Sequence, residues 1–164
     1  MIRKMMLGAL LCAGSSGCGQ EAAPPPAADA PITLQAGEWT LTRKTTGYNT
    51  PTVTPAQYQA ALKTVSEDKV CIALDAKGLP NADALAGKDG TDCTYKEPFV
   101  RGGRMIATLA CKTGGGTSDI MVEGNYTADT LTLGSTTTKT QGGQTVERTT
   151  HDVTGKRIGD CPKV

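Results

Sequence analysis

Cys93 and Cys111 bracket the stretch DCTYKEPFVRGGRMIATLACK, with a Gly-Gly pair at its centre. Such a pair could ligate a metal, cycle between thiol and disulfide, supply a nucleophile, or cross-link the chain. Zinc asks for C-x-x-C pairs or several histidines, and His151 is the single histidine. A thioredoxin-like couple needs C-x-x-C at a helix start, and the sequence has none. Cross-linking is the reading that survives. Taking Arg101-Gly102-Gly103 as a three-residue hairpin loop, with a glycine supplying the positive φ, sets Val100 against Arg104 and Cys93 against Cys111. Facing residues of an antiparallel ladder have Cα atoms about 4.5–5.5 Å apart, within the span of a disulfide. A two-residue loop sets Cys93 against Lys112 instead, and Pro98 marks a place where an edge or bulge would shift the count. Cys71 and Cys161 then form the second pair. In the chain-entropy picture the short loop contributes about 3 kcal/mol and the long one about 4.5 kcal/mol.

The other reactive side chains make weaker cases. His151 stands beside Asp152 in a Thr-rich run, but a triad needs a nucleophile and an orienting acid, and no G-x-S-x-G elbow occurs. The expectation is a surface strand histidine. Asp119, Glu123 and Asp129 offer carboxylates, yet Asp129 sits where a turn favours Asp for backbone reasons. The Gly runs at 114–116, 102–103 and 142–143 lie between strands, not in the strand-to-helix setting of a GxxxxGK[ST] phosphate loop. Asn125-Tyr126-Thr127 matches a glycosylation acceptor by chance composition. Thr-rich segments suit exposed strands. No catalytic residue, metal site or cofactor is expected.

The N-terminus says where these residues work. MIRKMMLGALLCAGSSGC has a basic start at Arg3 and Lys4 and an apolar run from Met5 to Ala13. About nine apolar residues suit a signal h-region and fall short of the roughly 20 a membrane helix needs. Small residues then lead to Cys18, which resembles the lipid-bearing cysteine of a bacterial lipoprotein signal, with Ser15 where that pattern prefers Leu. Cys12 leaves with the signal. GQEAAPPPAADAP follows, a Pro/Ala tract without the periodicity to build a core. The expected organisation is a signal over residues 1–17, a disordered tether over 18–31 and one disulfide-stapled β domain over 32–164. Gly19, where inner-membrane retention would want Asp, points to the outer membrane. Four cysteines then remain, an even set, which in an exported chain reads as disulfides. Removing the signal takes two basic residues and no acid, turning the formal +1 into −1. That leaves no basic field for nucleic acid.

The body must position these groups. EWTLTRKTT alternates Trp39, Leu41 and Arg43 against Thr40 and Thr42, a half-buried strand. PAQYQAALKTVSED reads as a helix with Thr54 as cap, Pro55 at its first position, and Tyr58, Leu62 and Val65 on one face. KVCIAL is a short apolar strand, and NADALAG has room for one helical turn. From Thr91 onward the pattern is antiparallel strands and Gly or Asp turns. A turn at Ala128-Asp129 sets Tyr126 against Leu131 and Gly124 against Leu133, which places Ile120, Val122, Tyr126, Leu131 and Leu133 on one face. QGGQ turns Ser135–Thr140 back into Thr145–Val153. The fold class is mainly β: an antiparallel meander or barrel-like sheet of about six to eight strands with one short helix and two disulfides. One Trp and one Phe make a thin core, so cross-links should matter.

Those residues resemble a bacterial family known as domain of unknown function 3617, whose members are exported proteobacterial proteins, often lipoproteins. The resemblance runs from about Gly37 to Cys161. It rests on Gly37-Glu38-Trp39, Val70-Cys71, Asp92-Cys93, a strand ending at Cys111, and above all the run G-K-R-I-G-D-C at 155–161. It implies the four-cysteine frame and the β architecture, and it brings no activity with it. TPAQYQAAL departs from the family's frequent Met- and Pro-rich central segments.

The expected role is that of a non-enzymatic periplasmic lipoprotein, a binding module at the cell envelope. Its partners would be the membrane, through the lipid on Cys18, and an envelope protein or a small apolar ligand. One alternative is an apolar-ligand carrier whose barrel cavity is lined by Trp39, Leu41, Ile120 and Val122. Another is an inhibitor of an envelope-attacking hydrolase. An enzyme would require His151 and a carboxylate to converge in a cleft.

Overall fold

The computed structural model describes residues 32–163. The signal, the tether and Cys18 lie outside the described residues. Among the described residues there are seven strands: β1 (Gly37–Asn49), β2 (Val65–Ile72), β3 (Thr91–Arg101), β4 (Arg104–Thr113), β5 (Gly116–Tyr126), β6 (Thr130–Gln141) and β7 (Gln144–Gly159). They form one antiparallel sheet in the order β2-β1-β7-β6-β5-β4-β3. Two short helices, α1 (Pro55–Ala61) and α2 (Ala82–Ala86), complete the set, with a 3-10 turn at Gly87–Asp89 after α2.

Alternation decides which face is covered. Trp39, Leu41, Arg43 and Thr45 of β1 are buried, and so are Met105, Ala107, Leu109 and Cys111 of β4. The expected pairing of β5 with β6 holds, with Tyr126 against Leu131 and Gly124 against Leu133. All five apolar residues assigned to that face are buried. At Gly102-Gly103 and Gly142-Gly143 both central residues have φ between 57° and 78°, the twist that two-residue hairpins require.

Consecutive strands β2 and β3 are the two edges of this sheet. The chain between them must therefore travel from one edge to the other, and it does so across the inner face. Ala82, Ala84, Leu85 and Ala86 of α2 are buried in one cluster with Trp39, Leu41, Ile72, Leu109 and Ile120. Small side chains let this single turn lie close to the sheet. Tyr95 Oη donates to the Pro80 carbonyl at 2.7 Å, and the Cys93 amide donates to Asp83 Oδ1 at 2.8 Å. The crossing segment is thus fixed to the β3 edge. The expected antiparallel meander holds, and its two edges are linked by this segment rather than by a ladder.

Two local readings need correction. The helix ends at Ala61, not beyond Val65. Thr54 caps it in a reciprocal box with Gln57 and Pro55 leads it, but none of its residues is buried. An unburied short helix has little to sustain it, and Val65 pairs with Lys44 to start β2. The second correction concerns the β3–β4 loop. Arg101 faces Arg104 across Gly102-Gly103 alone, which by itself would misalign the cysteines. A register shift between Lys96 and Phe99, where Glu97 has φ 45°, restores the count. Thr94 then faces Ala110, and Cys93 bonds Cys111 with Cα atoms 4.1 Å apart. Cys71 bonds Cys161 at a Cα separation of 5.5 Å.

A contact inside β7 is testable. A methyl at Gly155 would sit 2.6 Å from Leu131 Cγ and 2.7 Å from Leu41 Cδ2, whereas one at Gly159 would meet nothing within 4 Å. Gly155→Ala should lower the unfolding free energy by about 1–3 kcal/mol through overpacking. Gly159→Ala should change it by less than about 1 kcal/mol, both read from urea titrations.

Candidate functional site

A charged residue on a strand's buried face must find partners or lose stability. Arg43 continues the Trp39–Leu41 row inward, and its side chain is 9 % exposed. Its Nη2 donates to the Leu85 carbonyl at 2.8 Å and to the Ala84 carbonyl at 3.4 Å. These carbonyls lie at the end of α2, where a helix leaves acceptors unsatisfied and favours a cation. Arg43 is therefore the C-terminal cap of the crossing helix. Its Nη1 lies 3.5 Å from Asp68 Oδ2 on β2, and Lys88 reaches the other oxygen of Asp68 at 3.5 Å.

The 3-10 turn brings Asp89 into the same layer. Thr137 Oγ1 donates to Asp89 Oδ2 at 3.0 Å, and Ser118 Oγ donates to the Asp89 carbonyl at 2.7 Å. Lys139 lies 3.4 Å from Asp89 and 2.8 Å from Glu147. Burial pulls the Lys139 ammonium down, but the Glu147 hydrogen bond and the charge of Asp89 outweigh it, so its pKa is raised. Burial likewise lowers the pKa of Arg43, opposed by Asp68 and Asp89.

His151 belongs to this layer too, which corrects the expected surface position. It shares the inward face of β7 with Thr149 and Val153, and its side chain is 14 % exposed. The strand there is polar on both faces, so alternation gave no signal. Nδ1 is buried without a hydrogen-bond partner, 4.0 Å from Asp89 Oδ2. That separation is too long for a direct bond. Burial lowers the His151 pKa, Asp89 opposes this, and Arg43 and Lys139 reinforce it. A histidine and a carboxylate have converged, but the hydroxyls of Ser118 and Thr137 are donors to Asp89 rather than partners of the imidazole. The cluster ties α2 and its 3-10 turn to β1, β2, β5, β6 and β7. Sequence alternation already placed Arg43 inside; Asp89, in a loop, carried no such mark.

The remaining candidates are placed plainly. Trp39, Leu41, Ile120 and Val122 are buried and pack in the cluster that holds α2. Asp119 and Glu123 point outward and pair with Lys96 and Arg104, each at 2.7 Å. Asp129 is in the β5–β6 turn, where its carboxylate accepts from the Thr127 hydroxyl at 2.9 Å. Cys71, Cys93, Cys111 and Cys161 are all in disulfides. The run at 155–161 is a clasp: Arg157 Nε donates to the Ala36 carbonyl at 2.9 Å, its Nη2 donates to Asp160, and Cys161 binds Cys71. Trp39 Nε1 meanwhile donates to the Gln35 carbonyl at 3.1 Å. The motif thus fixes the entry to β1 to the exit from β7.

A family described as a protein of unknown function, DUF3617, matches residues 34–161. The chain belongs to this family. Neither a curated protein nor a solved structure matches the chain. The DUF3617 match covers both disulfides, the clasp and the whole inner cluster.

The outer face of this DUF3617 domain has a different character. The bulge at Glu97–Pro98 switches the parity of β3, so that Tyr95 and Val100 point inward while Phe99 points out at 50 % exposure. Phe99 faces Ile106, and Thr108 beside it faces Met121, which is 49 % exposed. Lys96, Glu97, Ile106, Ala107, Thr108 and Met121 line an open groove of about 610 Å³. Simple alternation hides this patch, because it puts Phe99 on the same side as Tyr95.

The pH dependence of stability should report the buried imidazole. Its folded pKa lies below the ordinary value, so neutral His151 contributes stability present above about pH 6.5 and lost as pH falls toward the folded pKa. Urea midpoints should fall between pH 7.5 and 5.5 in the native protein, and His151→Gln should flatten that slope.

Proposed function

We propose that this chain is an exported, lipid-anchored protein of the bacterial envelope that acts by binding rather than by catalysis. The observation that carries the reading is the division of the domain. Its inward Arg43 and Asp89 are bonded within the crossing segment's surroundings, while Phe99 and Met121 stand exposed on the outer face with half-buried Ile106 beside them. Export is supported by the signal-like start and by the pairing of all four cysteines among the described residues, a state that lasts in oxidising compartments. Anchoring through Cys18, toward the outer membrane, is supported by the small residues before it and the Pro/Ala tract after it. No helix among the described residues is long and apolar enough to cross a membrane.

A carrier of apolar ligands is less well supported. The residues that would line its cavity are fully buried in the core cluster that also holds α2, and none of them borders the outer groove.

Anchoring is tested by Cys18→Ser in the native host. The wild-type chain should sediment with membranes and resist high salt. The variant should move to the soluble periplasmic fraction, folded and with both disulfides intact. Equal membrane retention of the two would reject the lipid anchor.

A further inference from the structure

We propose that the tip of the β3–β4 hairpin, with the outer face beside it, seats on a lipid bilayer. This rests on the lipid-anchored reading and names what the outer face meets.

The first support is where the described chain begins. Ile32, 47 % exposed, lies against the hairpin tip: a methyl at Gly103 would be 3.2 Å from its Cδ1. Only residues 19–31 separate Ile32 from Cys18, a stretch that reaches at most about 45 Å fully extended. A lipid on Cys18 would thus draw on the domain from beside this tip, where Ile32 lies.

The second support is chemical. Ile32 and Phe99 lie on opposite sides of one two-residue turn, and Ile106 and Met121 continue the apolar surface from Phe99. Around them Lys96, Arg101 and Arg104 are balanced by Glu97, Asp119 and Glu123, and two of these pairs are closed salt bridges. A neutral rim around an apolar patch beside the tip suits the headgroup–acyl boundary, with exposed Arg101 at the turn placed to reach a lipid phosphate.

The third support removes a competitor. A second copy would most simply add to the β3 edge. That edge is interrupted by Asp92 and Glu97 at positive φ and by Pro98, which has no amide proton. Such breaks discourage strand addition. A few apolar side chains bind a membrane only weakly alone, and the tether supplies the effective concentration.

The test uses the full chain carrying Phe99→Trp or Val146→Trp. Val146 is exposed beside the β6–β7 turn, at the other end of the strands, and fully buried Trp39 is a common background. The lipidated proteins are reconstituted into vesicles of phosphatidylethanolamine and phosphatidylglycerol with brominated acyl chains. The added emission of Phe99→Trp should fall by about half, as expected for insertion at the interface, and equally at low and high salt. Val146→Trp should be unaffected. Equal quenching of both, or none at Phe99→Trp in protein that floats with the vesicles, overturns the proposal. Combining Cys18→Ser with Phe99→Trp and titrating the same vesicles reads the tip without its anchor. Quenching there at higher lipid, with no flotation of the Cys18 protein, would reject the anchor and retain the tip. A blue shift of Phe99→Trp that grows with protein concentration in the absence of lipid would assign the face to a second copy and overturn the proposal.

Discussion

The domain is organised by the passage of the chain from β2 to β3 through its own core. These strands follow each other in sequence yet occupy opposite edges of the sheet. Their connection cannot be a surface turn. Its buried part must be small, apolar and regular, and Ala82–Ala86 answers all three demands. A five-residue helix inside a protein still ends in bare carbonyls. Arg43, entering from β1, satisfies them, and Asp68 on β2 offsets its charge. Asp89 repeats the arrangement at the 3-10 turn with Thr137 and Lys139. The inner ionic layer is thus a consequence of topology. Arg43 and Asp89 hold the crossing in place through their hydrogen bonds, and His151 packs beside Asp89 without one.

A second constraint operates at the β3 edge. The Gly102-Gly103 turn sets one register, and the Cys93–Cys111 bond requires another. The bulge at Glu97–Pro98 reconciles the two by adding one residue to β3. Because side-chain direction alternates along a strand, the same residue reverses the faces beyond it. Val100 goes in, and Phe99, the one phenylalanine in the chain, goes out. One local feature therefore aligns a disulfide, weakens the edge as a template for aggregation, and creates the outer apolar patch.

These two features also explain what the sequence could reveal. The β5–β6 pairing was legible residue by residue, because a short turn and a single-faced apolar pattern admit one register. The cysteine pairing was legible too, although through the wrong loop: a three-residue turn gives the same arithmetic as a two-residue turn plus a bulge. Arg43 was visible as an inward position without its reason. Tyr58, Leu62 and Val65 have helical spacing, which extends the expected helix past Ala61, while the strand pairing of Val65 with Lys44 is a long-range event that spacing cannot encode. His151 and Asp89 were beyond reach. One sits in a strand polar on both faces, the other in a loop whose path depends on strands far along the chain.

The inside and the outside of this domain exchange their customary roles in two places. Charges are buried where the crossing segment needs anchoring, and Phe99 and Ile32 are exposed around a hairpin tip. A thin core would gain from taking Phe99 in, at roughly 1.5–3 kcal/mol for an aromatic side chain fully buried. The bulge directs it outward instead. The two disulfides offset such a loss by fixing the strands covalently, which frees the apolar side chains at the tip from a folding role. Stapling and exposure are then two sides of one arrangement, in which the covalent links let a domain this small carry an apolar surface beside its hairpin tip.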